Sequence, residues 1–460
     1  MKRILWFRRD LRVKDNPLLS LSGNVLPIFI FDTNILKTLE RDDKRVSYIF
    51  HYVKKLKQEF LAHGLDLKLY YGRPESVFEY ILKENSFDEV IASADYDSYA
   101  KERDLHISHK LTFHYLEDTY IFKPDEVLKD DGSPYLVFTP FYKKATVLLK
   151  SKNIQEYQRA KNTLIKTDYD GITKVDEAMN VTKVAIEIEN IGFEHAELKI
   201  VDPHHKLEVF KDKINDYKEK RDYFSKDASS NLSVDIRFGT IGIREVLRFV
   251  LSLKKNDVEP FIRQLIFRDF YAYLLFHFPN VEYQNYKYSF NGIKNNETYE
   301  LFCSAKTGVP IIDAGVRELI QTGNIHNRVR MIIASFFTKD LLLPWQWGER
   351  FFAKHLLDYD KASNVLSWQW SAGTGVDPQP YFRVFNPYLQ SKKFDKDAIY
   401  IKKYVPELLH VESKNIHNEE YLFSTNIQGY PKPIVSHKEA AKKAVEIFKT
   451  KQIHPGMSTL

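Results

Sequence analysis

Apolar and polar positions follow two regimes along this chain. Short apolar runs at 3–7 and 25–31 (VLPIFIF) have the length and the branched, aromatic content of buried strands. Between 43 and 63, Val46, Ile49, Phe50, Val53, Leu56 and Phe60 recur at helical spacing, and Gly64 supplies a stop. LDLKLYY reads as a strand, followed by a helix over 75–84, the strand VIASA, a charged helix over 99–110 and the strand LTFHYL. Strands alternating with helices predict a parallel sheet covered on both faces. This α/β domain is expected over residues 1–130. Periodicity then fades, and residues 131–205, polar beyond 150 with scattered Lys, Asp and Asn, read as a connector. From 206 to 460 helical spacing returns. Leu247, Val250 and Leu251 mark one apolar face; Ile262, Leu265, Ile266, Phe270 and Leu274 a second; Val329, Ile332, Ile333 and Phe336 a third. The expected fold class is a Rossmann-like α/β domain followed by an all-α domain.

Composition narrows this little. The 460 residues suffice for two or three domains, with 43% hydrophobic and 28% charged. Aromatic content is high at 14%, which fills a helical core or lines a pocket for a planar ligand. A formal net charge of +6 is compatible with a polyanionic partner and does not demonstrate one. The lone cysteine, Cys303, excludes a disulfide framework and a four-cysteine iron–sulfur cluster. His204 and His205 lack a second ligand pair at metal spacing, so no metal site is expected. No GxGxxG loop occurs in 1–130, so ordinary dinucleotide binding there is not indicated. No signal-like segment or apolar span of membrane length is read, and a cytoplasmic location is expected.

Candidate chemistry concentrates in NIHNRVRMIIASFFTKDLLLPWQWGER (324–350) and DYDKASNVLSWQWSAGTGVDPQPYFRVFNPYLQ (358–390). Read alone, the second is an acidic turn followed by core aromatics. SSNLSVDIRFGTIGIRE (229–245) adds serines before a helix, a place for caps or for a bound phosphate. Together with the opening KRILWFRRDLRVKDNPLL and the later GYPKPIVSHKEA, these stretches resemble the DNA photolyase and cryptochrome family over nearly the whole chain. The likeness is greatest to its class I branch, which repairs cyclobutane pyrimidine dimers.

The resemblance implies FAD in the helical domain. Tyr217, Ser229, Ser230, Asn231, Leu232, Ser233, Phe261, Arg268, Asn327, Arg330, Asp358, Asp360 and Asn364 match its cofactor contacts. Arg330 is spaced to pair with Asp358, and Asn364 matches the residue that faces flavin N5, where its carbonyl favours a protonated, reduced ring. Gln264 and Phe267 stand where dimer-repair enzymes carry Glu and Trp. Gln264 still bonds a pyrimidine edge without donating a proton, and Phe267 still stacks. Asn327 and Met331, four apart on one face, match the pair that contacts the dimer. Arg328, Trp370, Arg383 and Gln390 match residues of the lesion pocket or DNA grip, and Lys392 and Lys393 are candidate phosphate contacts. Trp368 and Trp345 match the inner members of an electron-transfer chain. The third falls near Gly292, leaving Tyr288, Phe290, Trp347 and Tyr299 in reach, with Tyr288 or Trp347 as the surface end.

The expected activity is light-driven splitting of cyclobutane pyrimidine dimers by electron transfer from excited reduced FAD. The expected partner is damaged DNA with the dimer flipped out, bound by a monomer. The family places an antenna chromophore in the α/β domain, but the folate-binding Asn-Glu pair is replaced here by Tyr99 and Ala100. Two rival readings are a cryptochrome photoreceptor, and six-four repair, which Gln264 favours and Asn327 and Met331 oppose. A redox flavoprotein without DNA lacks any nicotinamide fingerprint.

Overall fold

The computed structural model describes residues 1–165, 170–253, 257–288, 291–380 and 382–450. They fall into two compact units. Unit one is Met1–Val127, Ala145–Asp212 and Ser230–Asp269; unit two is Leu128–Lys144, Lys213–Ser229 and Phe270–Leu460.

Unit one is built on a sheet of eight strands. They are β1 (Lys2–Phe7), β2 (Gly23–Asp32), β3 (Lys68–Gly72), β4 (Glu89–Ser93), β5 (Thr112–Leu116), β6 (Asn162–Leu164), β7 (Ile172–Val175) and β8 (Val181–Val184). The order is β5-β4-β1-β2-β3-β7-β8, with β6 paired to β2. Central β1 runs parallel to β2 and β4, with Ile4 opposite Leu26 and Val90. Both faces of these strands are covered, so they read as continuous apolar runs rather than alternating ones. Helices α1 (Lys44–Ala62), α2 (Pro74–Glu84) and α3 (Ser98–Ser108) form where the periodicity predicts them. Asp43 caps α1 by accepting the Arg45 N–H at 2.8 Å, and Asp97 caps α3 through the Ala100 N–H. The stretch expected as connector contains β6, β7 and β8. β7 runs parallel to β3, and β8 closes the edge antiparallel to β7. These strands are only three or four residues long, too short to show a period-two signal; β7 is largely buried between β3 and β8, whereas β8 is mostly exposed.

Unit two is helical. Helix α4 (Glu259–His277) contributes residues up to Asp269 to unit one and continues into unit two. Its further helices include α5 (Pro310–Thr322), α6 (Asn327–Ser335), α7 (Trp345–His355), α8 (Lys361–Ala372) and α9 (His437–Thr450). α6 runs into a π-helical turn over Phe336–Asp340, a rare device common near functional sites. α9 is fastened to that turn by His437, whose Nδ1 meets Asp340 Oδ1 at 2.5 Å, and by Lys339 lying 3.6 Å from the Phe448 ring. α7 and α8 approach so closely that a Cβ on Gly348 would overlap the Trp368 indole. Trp368 is 1% exposed and meets Phe337 and Phe352 edge-on, at ring distances of 5.4 and 5.0 Å. The indole therefore has no room to yield. Gly348→Ala should cost about 1–3 kcal/mol through overpacking. A melting temperature equal to the parent's would show that the two helices are not held this close.

Candidate functional site

In unit one, α4 presents Phe261, Gln264, Phe267 and Arg268 at spacings of three and four, so they share one side of the helix. Phe261 is buried against Phe210 at 4.6 Å between rings, while Gln264, Phe267 and Arg268 are half-buried. Gln264 Nε2 is 3.5 Å from the Pro260 carbonyl, a weak local contact. Arg268 donates from Nη1 to the Thr119 carbonyl at 2.6 Å and lies 4.4 Å from the Tyr120 ring centre. Its Nη2 is buried with no acceptor among the described residues.

The serine segment differs from a capped helix start. The helix Ser233–Phe238 is six residues long, its N-cap is Leu232, and no side chain caps it. Ser230 Oγ accepts the Leu232 N–H at 3.4 Å just ahead of it. Asn231 has φ of 56°, in the left-handed region that Asn tolerates. Asn231 and Ser233 are exposed, Ser230 is half-buried, and Leu232 is anchored at 1% exposure.

At the folate-pair positions, Tyr99 donates its hydroxyl to Asp32 Oδ2 at 2.5 Å, and Ala100 is buried at 2% exposure.

In unit two, α6 begins at His326, whose Nδ1 accepts the Arg328 N–H at 3.1 Å. Burial pushes this imidazole down to about 4, so it stays neutral and able to accept. Asn327 Nδ2 and Met331 Sδ lie 3.6 Å apart, so the expected pair does meet on one face. Arg328 turns the other way, bonding Asp222 Oδ2 at 2.7 Å and covering the Phe394 ring at 4.8 Å. Arg330 Nη2 reaches both oxygens of Asp358, at 3.1 and 2.9 Å, and its Nε holds the Ile325 carbonyl. The pair that the resemblance implies is therefore formed. Asp360 caps α8, accepting the Ser363 N–H and hydroxyl at 3.0 and 2.9 Å, so one oxygen of this expected cofactor contact is already engaged.

Asn364 is 7% exposed. Its Nδ2 donates to the Glu349 main-chain carbonyl at 3.1 Å and to Glu349 Oε1 at 3.0 Å, while Oδ1 accepts nothing from the described residues. Glu349, which the sequence did not single out, also receives the Tyr359 hydroxyl at 3.3 Å. Tyr217 is buried, and Ser229 is half-buried.

Trp345 is 3% exposed and bonds Asn285 Oδ1 through its indole N–H at 2.7 Å. It precedes Gly348 by one turn of α7, which sets it beside the Trp368 contact. Trp347 is half-exposed and meets Tyr299 at 5.1 Å. Tyr288 meets Phe448 at 5.8 Å, and Phe290 lies outside the described residues. Trp370 packs loosely on Phe385 at 6.5 Å, and Arg383, Lys392 and Lys393 are exposed. Gln390 is half-buried, with Oε1 unpartnered. Among the described residues no group of three His, Cys, Asp or Glu could hold a metal ion, and no helix is long and apolar enough to cross a membrane.

One further buried group stands out. Asp269 Oδ2 accepts the Ile121 and Phe122 N–H groups at 2.8 and 2.9 Å, and its Oδ1 has no partner. Burial pushes this carboxyl up to about 7 against the opposing pull of Arg268. An unfolded Asp loses its proton near about 3.9. Between those values the folded chain binds the extra proton, so stability falls as pH rises through the window. Asp269→Asn should remove that fall. The parent's melting temperature should drop more steeply than the variant's between about pH 4 and about pH 7; equal slopes would refute the protonated carboxyl.

Comparison with known proteins gives consistent matches. A family model described as DNA photolyase matches residues 3–158, and one described as FAD binding domain of DNA photolyase matches residues 261–450. A deoxyribodipyrimidine photo-lyase from Alkalihalophilus pseudofirmus is 34% identical over 97% of this chain and 98% of its own. A bacterial class III photolyase structure from Agrobacterium tumefaciens aligns with a TM-score of 0.81 and 29% identity, covering 97% of each chain. An archaeal photolyase structure from Sulfolobus tokodaii, with two FAD molecules, aligns with a TM-score of 0.81 and 29% identity over 98% of this chain and 100% of that one.

Proposed function

This chain belongs to the DNA photolyase family, and from that premise we propose that it repairs cyclobutane pyrimidine dimers in DNA with light. The observation that carries the reading is Asn364, whose amide is held by Glu349 and whose Oδ1 is left without a protein donor. An amide oxygen that accepts nothing from the described residues can take a donor, and the N–H of a reduced flavin supplies one. FAD, when bound and reduced, provides on excitation the electron that opens the dimer and takes it back afterwards.

The residues divide the remaining work. Arg330 and Asp358 present a paired charge to the ring. Tyr217, Phe261, Arg268 and the segment Ser229–Ser233 hold the rest of the cofactor; Arg268 Nη2 has no acceptor among the described residues. Asn327 and Met331 contact the dimer, with Gln264 bonding a base edge and Phe267 stacking. Arg383, Lys392, Lys393 and Gln390 meet the strand. Flipping a damaged pair costs less than flipping an intact one, and phosphate contacts offset that cost. Asn327 and Met331, carrying no titratable proton, favour cyclobutane dimers over six-four products, whose repair in this family uses a histidine donor at this helix.

Two experiments test these assignments. Oligonucleotides carrying each lesion, illuminated with reduced protein, should show loss of cyclobutane dimers and persistence of six-four products; the reverse pattern would overturn the substrate. Trp368→Phe should slow photoreduction of the oxidised cofactor strongly while leaving repair by chemically reduced protein nearly intact, apart from a small packing cost. Transient absorption decides: photoreduction at the parent's rate would place the relay elsewhere.

A further inference from the structure

We infer that Glu349 is a positioning residue for Asn364. It presents two acceptors, its main-chain carbonyl and its carboxylate, that hold the amide NH₂ and leave Oδ1 as the group turned outward. This rests on the reading of Asn364 as the residue facing flavin N5. The geometry fixes the amide in one orientation. A main-chain carbonyl can only accept, so the end of Asn364 at 3.1 Å from it is the NH₂, whatever proton the carboxyl carries. The second N–H goes to Oε1 at 3.0 Å. Asn364 itself is fixed to the start of α8, its N–H donating to the Asp360 carbonyl at 2.9 Å.

The carboxylate contributes charge as well as an acceptor. An amide whose N–H bonds to an anion shifts electron density to its oxygen, so Oδ1 becomes a stronger acceptor for a protonated N5. That favours the reduced cofactor and raises its potential. Glu349 is 9% exposed, and burial pushes its carboxyl above the usual range. The Asn364 N–H and Lys361 of α8, the Tyr359 hydroxyl of the preceding loop and Arg350 of α7 all pull it back. Lys361 is shared with Glu282 Oε1 at 2.9 Å, which weakens its hold on Glu349. Glu349 therefore titrates above 4.5, where its charge is lost as pH falls.

The test is a redox titration of the full-length FAD-loaded protein, comparing the parent, Glu349→Gln, Asn364→Ala and the double variant. Gln keeps an acceptor for Asn364 and removes the charge. Glu349→Gln should retain FAD and lower the equilibrium constant for uptake of the first electron about tenfold, or about 59 mV for a one-electron couple. It should add nothing in the Asn364→Ala background, because it acts through Asn364. A constant within twofold of the parent's, or an equal further loss in the double variant, overturns the positioning role. If Asn364→Ala leaves the potential unchanged, the reading of Asn364 fails and Glu349 with it. If Asn364→Ala shifts it and Glu349→Gln does not, Glu349 alone is wrong. Should Glu349→Gln lose FAD, the parent's own pH profile decides. An extra step above pH 4.5 supports the role, and a profile with no such step overturns it.

Discussion

The close approach of α7 to α8 is the constraint on which the chemistry of unit two depends. Gly348 has no Cβ, and the Trp368 indole fills the space one would occupy. Everything else is set by sequence distance from that contact. Glu349 follows Gly348 directly, and Asn364 precedes Trp368 by one helical turn, so the ring contact also brings the Glu349 acceptors to the Asn364 amide. Trp345 lies one turn before Gly348 on the same helix. The missing Cβ thus lets the two helices meet where the Asn364 amide finds its Glu349 anchor.

Polar satisfaction separates structural from functional groups. In unit one Asp235 is fully buried yet receives the Tyr48 hydroxyl at 2.8 Å and Lys206 at 2.7 Å, and Arg12 is closed by Asp118 at 2.6 Å. Such groups are spent on the fold. Against that background Arg268 Nη2, buried and without a partner among the described residues on an otherwise well-bonded side chain, is informative. An unpaired buried polar atom costs about 1–3 kcal/mol, which a bound ligand with the complementary group returns.

The central strands and the helices around them were legible because burial on both faces writes long apolar runs and regular stripes into the sequence. The Arg330–Asp358 pair and the Asn327–Met331 pair were legible for a different reason: the resemblance named both, and helical spacing agreed for the second. Strands β6 to β8 were not legible, since three or four residues are too few to carry a pattern. Glu349 and Asp269 were missed because a carboxylate in a helix reads as a solvated face; only tertiary packing shows that both are buried. The serines of 229–233 looked like caps, and it took the backbone to show Leu232 in that position.

Position 292 settles what kind of departure the missing outer tryptophan is. Gly292 has φ of 80°, and a Cβ there would lie 2.5 Å from Pro344 N and 2.7 Å from Leu343 C. No side chain fits on this backbone path, so an outer ring at that position is excluded by the chain's own course. The proposed relay must leave the core by another route, and packed rings supply one. Phe337 touches Trp368, Tyr299 is 6.2 Å from Phe337, and Trp347 is 5.1 Å from Tyr299. Phe337 is not readily oxidised, but it fills the gap with bonded matter rather than solvent. Of the two half-exposed ends, Tyr299 must shed its phenolic proton to hold a positive charge, and burial raises that hydroxyl above its ordinary value. An indole can be oxidised before it loses a proton. In the proposed relay Trp347, two residues from Trp345 on the same helix, makes a better surface end than Tyr299, and better than Tyr288, whose ring meets Phe448 on α9.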